Sequence, residues 1–150
     1  MFRRSQALCS LGAVVVVLTA ALPAAPNPVA GVRVTNAATA FDLVYAASAS
    51  TLGGYVTSDN APLATIPRQT ADAFTIASAS AKTLAGALIY RAADEPTREC
   101  TFRYSLAFTG GRFVLTADAR ASWTGQAACT VTTTGPDKTK GDFSVTFTMK

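Results

Sequence analysis

Histidine is absent from all 150 residues. That absence removes Ser-His-Asp and Cys-His nucleophile systems, imidazole zinc sites and the usual general base near neutral pH. The sequence also lacks a P-loop, a dinucleotide-binding glycine pattern and a calcium-loop pattern. No glycosylation sequon occurs, because Asn27, Asn36 and Asn60 are each followed by the wrong residues. Charged residues make up only 15% of the chain, with no block of like charge, no heptads and no repeat of solenoid length. Threonine is plentiful, but the run "TVTTT" (130–134) occurs once and without a fixed period. Threonine simply suits exposed strand positions.

What is present begins with an export signal. Arg3 and Arg4 precede an apolar stretch from Ala7 to Leu22, centred on "AVVVVL", which breaks at Pro23 into "PAAPNPVAG". A basic start, a short apolar run and a small-residue exit predict a signal peptide over 1–25, cleaved between 21 and 30. The run is short against the roughly 20 residues of a spanning helix, so no stable membrane span is expected in the mature chain. The expected location is secreted, periplasmic or cell-surface. Cleavage removes Cys9 and both early arginines. Eleven Lys and Arg then face nine acids, a balance of +2 that gives no support to nucleic-acid binding. Cys100 and Cys129 remain as an even pair, which in an exported chain predicts a disulfide.

After an extended N-terminal segment (26–38), residues 39–150 are expected to form a single β domain. Period-two alternation is the evidence. Cys100, Phe102, Tyr104, Leu106 and Phe108 share one strand face, and Phe113, Leu115, Ala117, Ala119, Ala121 and Trp123 share another. Phe143, Val145, Phe147 and Met149 repeat the pattern. Short connections at Gly110-Gly111, "TGQ" and "GPDKTKG" make these strands antiparallel. "TAFDLVYAA" (39–47) reads as a strand and "GGYVTSDNAP" as a short strand with a turn. Pro62 and Pro67 make 58–70 irregular. Residues 71–91 are favoured as a hairpin, although Phe74, Ala77, Ala81, Leu84 and Leu88 also sit at helical spacing.

Taking Gly110-Gly111 as a two-residue turn fixes the register of its hairpin. Phe108 then faces Phe113, Leu106 faces Leu115, Tyr104 faces Ala117 and Cys100 faces Ala121. On the other face Arg103 meets Asp118, a structural ion pair by this reading, while Arg112 and Arg120 stay unpaired. If "TGQ" is also tight, Cys129 comes opposite Ala121 from the far side. In one flat sheet the cysteines would be two strand spacings apart, about 9–10 Å. A disulfide needs Cα atoms within about 7 Å. The pair therefore predicts that 127–134 leaves the plane of the 100–122 hairpin and joins a second sheet.

The expected fold is an all-β antiparallel sandwich of about seven or eight strands with one disulfide. A small closed barrel, or an α+β fold if 71–90 is helical, is the alternative. The expected function is a non-enzymatic binding or interaction domain with a protein or glycan partner. No cofactor and no metal site are expected. Candidate binding residues are Asp137, Lys138 and Lys140 on a long hairpin tip, where β scaffolds often carry recognition, with Arg112 and Arg120. The ending "GDFSVTFTMK" (141–150) is similar to the alternating C-terminal strand of fimbrial subunits. The resemblance implies a subunit that self-associates through strand edges, with 28–36 as an extended pairing arm. The late cysteines depart from that pattern. A third alternative is a hydrolase using Asp94, Glu95 and Glu99, carboxylates being the catalytic groups left once histidine is absent.

Overall fold

The alternating segments become strands, and so do several others. The computed structural model describes residues 27–57, 61–80, 82–122 and 128–150. The expected signal peptide, the "TGQ" loop and Trp123 lie outside these residues. The strands are β1 (Val29–Asn36), β2 (Leu43–Tyr45), β3 (Tyr55–Val56), β4 (Thr65–Ile66), β5 (Ala71–Ala77), β6 (Thr83–Ala92), β7 (Glu99–Thr109), β8 (Arg112–Ala121), β9 (Cys129–Thr134) and β10 (Phe143–Met149). Seven of them are long. The other three, β2, β3 and β4, have only two or three residues each; the two strands beyond expectation are β1, expected as an extended segment, and β4, within the expected irregular stretch 58–70.

Two five-stranded sheets stack as an open sandwich: β3-β5-β1-β10-β9 and β4-β2-β6-β7-β8. Every pairing is antiparallel except β1 with β10. The inner faces interlock through aromatic rings. Phe102 of β7 stacks on Phe147 of β10 at 4.8 Å, and Tyr104 of β7 meets Phe143 of β10 at 6.0 Å. All four are buried, as are Leu43, Leu84, Leu88, Leu106 and Val145. Buried Asn36 donates to the Phe41 and Ile66 carbonyls and accepts the Ala38 N–H, fastening the chain after β1 to β4.

The β7–β8 register is the one the glycine turn dictates, from Thr109 opposite Arg112 to Cys100 opposite Ala121. Cys100 and Cys129 are bonded, with Cα atoms 5.8 Å apart. Cys129 lies on the other sheet, so the bond staples the two layers. It sits near the edge where β8 and β9 each end a sheet, and there Phe113, Leu115, Ala117 and Val131 are only partly buried.

Two expectations are corrected. Residues 71–91 are strands, but β5 and β6 are not a hairpin, because they belong to different sheets. The chain crosses between layers at Ser78. Its N–H donates to the Pro28 carbonyl at 2.9 Å, and its hydroxyl donates to the Thr83 carbonyl while accepting the Ser80 N–H. The segment 28–36 is no free arm either. As β1 it lies between β5 and β10, so both of its edges are already paired.

Candidate functional site

One end of the sandwich is built from two turns. At Gly110-Gly111 both glycines have positive φ, 59° and 80°, as a type I′ turn requires. The β9–β10 connection, 135–142, is organised by Asp137. Its carboxylate accepts the N–H groups of Thr139 at 2.9 Å and Lys140 at 2.7 Å. Its backbone exchanges hydrogen bonds with Asp142 and Gly141. Those backbone donors, and then the Lys140 charge, hold the Asp137 carboxyl below its ordinary value of 3.8.

The two turns touch. Gly141 (φ 78°) lies against the Phe113 ring so closely that a Cβ there would come within 2.8 Å of it. Between the turns is a cavity of about 350 Å³ lined by Gly111, Arg112, Phe113, Pro136 and Lys138. Phe113 meets Phe108 edge to face at 5.0 Å, and the Lys82 ammonium lies 5.7 Å from the centre of the Phe108 ring. The Phe108 N–H donates to the Lys82 carbonyl, which ties the 78–82 crossing to the same end.

Charge is distributed unevenly along the molecule. Lys82, Arg112, Lys138 and Lys140 have no ion-pair partner among the described residues. Away from this end Arg68 is matched with Asp42, Arg91 with Glu99, Arg98 with Glu95 and Arg120 with Asp118, whereas Arg33, Arg103 and Lys150 are spread singly over the rest of the described residues. Over residues 27–150 the four hairpin-end cations meet only Asp137 and Asp142 there, and both carboxylates are engaged by backbone N–H groups. Among the described residues, the other seven cations face six acids, so most of the positive excess resides at the hairpin end.

The sequence-derived candidates divide accordingly. Arg112 and Lys138 share the cavity, Lys140 belongs to the same loop, and Asp137 shapes that loop. Arg120 is at the far end of β8, eight residues and roughly 26 Å from Arg112. It is not unpaired: its Nε donates to Asp118 at 2.6 Å. Arg103 stands opposite Asp118 in register, but Arg120, two positions along the same strand face, holds the carboxylate. Glu95 and Glu99 are each bound to an arginine, at 2.9 Å and 2.6 Å, so neither of these two carboxylates is left unengaged.

Sequence reasoning missed two members of this end. Lys82 is a lone cation in an Ala/Ser/Thr-rich stretch, and only the layer crossing at Ser78 brings it to Phe108. Phe108 itself was expected to face inward with Phe102 and Tyr104, yet it is 38% exposed because β7 runs past the core there. Open depressions also occur on the sheet faces. One, of about 400 Å³, lies over Gly86 with Arg103, Ser105, Thr116 and Asp118, and another, of about 360 Å³, lies over Gly31 with Arg33. The hairpin-end cavity is more enclosed than either.

No family model matches the chain, and no curated protein does. Among solved structures, the lipid binding protein Nakanori is similar over 82% of this chain and 71% of its own, at 15% identity and a TM-score of 0.48. Likeness at that level bears on neither ligand nor activity.

Proposed function

We propose that the chain is an exported, non-enzymatic binding domain that engages an acidic partner through its hairpin end. One observation carries this reading: four cations from three separate segments gather at the end of the sandwich that holds the cavity, two of them lining it, against two carboxylates, Asp137 and Asp142. Such a surface attracts carboxylate, sulfate or phosphate groups and speeds their encounter. The inter-sheet disulfide fits a chain that folds outside the reducing cytoplasm. Assembly by a donated strand loses support, since the segment that would serve as the arm is an interior strand. The hydrolase alternative loses support likewise, since Glu95 and Glu99 are bound to arginines.

The test uses polyglutamate and dextran sulfate as probes, titrated against the disulfide-bonded chain. Binding is expected, and it weakens between about 0.1 M and 1 M salt as the screening length falls from ~10 to ~3 Å. Replacing Lys140 by serine costs about threefold to fivefold, the usual size of an exposed charge contact. Arg33→Ser, on the opposite sheet face, changes nothing. Equal losses for both variants, or no affinity for any polyanion, would overturn the proposal.

A further inference from the structure

The cavity between the turns has two kinds of wall. Phe113 and Pro136 are flat and apolar, whereas Arg112 and Lys138 are cationic. A ligand that satisfies both must present an apolar plate and an anionic group within one small unit. We propose that this cavity is a subsite for an acidic sugar: a hexose ring carrying a carboxylate, as in hexuronic acids. The inference rests on the reading of the hairpin end as the contact surface and names its ligand class.

The ring's C–H face packs on Phe113 and Pro136. The Arg112 guanidinium takes the carboxylate through two parallel N–H donors, a geometry that an ammonium does not reproduce. Lys138 supplies a second cation to the carboxylate or donates to a ring hydroxyl. At about 350 Å³ the cavity is near the lower limit of ligand sites, suited to one sugar unit rather than a long chain. The rest of a polymer leaves past Gly111, where even an added Cβ would meet nothing within 4 Å.

Other acidic partners fit less well. An acidic peptide brings carboxylates on flexible stems with no flat apolar face. A bilayer surface needs a group of apolar side chains free to insert, whereas at this end the exposed Phe108 ring lies against the Lys82 ammonium and the cavity sets its apolar wall beside two cations.

The experiment is calorimetric titration of the disulfide-bonded chain with oligomers of galacturonate and of glucuronate. Neutral galactose oligomers, polyglutamate and equimolar phosphatidylserine–phosphatidylcholine vesicles serve as comparisons. At least one uronate oligomer is expected to bind more tightly than polyglutamate, and the neutral oligomer not at all. Arg112→Gln weakens uronate binding about tenfold or more, and Arg112→Lys restores only part of it. Gly111→Asn, in which asparagine tolerates the positive φ, blocks the mouth without altering charge and removes uronate binding. An unchanged thermal midpoint and an intact disulfide, read by mass, exclude unfolding as the cause. Binding to polyglutamate or vesicles but to neither uronate would overturn the sugar subsite and leave the acidic-partner reading intact. Binding to no acidic probe would overturn both, and binding of neutral and acidic oligomers alike would overturn the role given to Arg112.

Discussion

Replacing Cys100 and Cys129 together by alanine should cost the protein most of one staple and little else. The bond spans 29 residues, and closing a loop of that length in the unfolded chain corresponds to about 3.6 kcal/mol in the chain-entropy model. Alanine rather than serine is the substitution of choice, because Cys100 is fully buried and a hydroxyl would sit there without water. Unfolding entropy is about 2.1 cal/mol/K per residue, so roughly 120 ordered residues give about 0.25 kcal/mol/K. The midpoint should therefore fall by about 14 °C in a calorimetric scan of the double variant against the oxidised chain. The loss should also be local before it is global. Amide exchange should quicken in β8 and β9, where the inner faces are partly buried, and stay slow in β1 and β5. A shift below about 4 °C, or exchange that rises equally in all strands, would refute the view that the bond holds the weakly closed side of the sandwich.

Gly86→Ala forces a methyl within 2.3 Å of the Tyr104 hydroxyl and 2.9 Å of the Leu52 carbonyl, breaking the hydrogen bond between them. A loss of about 2–4 kcal/mol is expected by denaturant titration, and adding Tyr104→Phe should recover part of it by removing the clashing oxygen. The Asp137 carboxyl titrates below its ordinary 3.8, so its stabilisation of the 135–142 loop is fully present above that value. It is lost as pH falls through the depressed value. The amide resonances of Thr139 and Lys140 should move together in that acid range, and Asp137→Asn should abolish the coupled shift.

Much of the sandwich was legible because local rules agreed with one another. Two glycines needing positive φ set the β7–β8 register, and that register brought Phe108 opposite Phe113 without any appeal to side chains. The reach of a disulfide then separates β9 from the β7–β8 sheet. The β5–β6 relation was not legible, because a five-residue crossing suits a hairpin and a change of layer equally well. Hydrogen bonds from Ser78 to residues on both sides decide it, and the one to Pro28 lies far away in sequence. At the site, Arg112 and Lys138 were identifiable as exposed cations on turns. That they share a cavity depends on Phe113 resting against Gly141, a contact no local pattern encodes. Asp118 shows the converse: the register was right, but a side chain two positions along its own strand reached the carboxylate first.

The parallel pairing of β1 with β10 bears on how the chain can be made. Phe143–Met149 fills the gap between β1 and β9, so a growing chain carries β1 with a bare edge until residue 149 has been added. The Phe102–Phe147 stack must wait equally long. No fragment that stops short of β10 can complete this layer, so the sandwich closes only once β10 has been made. A product cut before β10 exposes the open edges of β1 and β9, which are prone to pair with other chains.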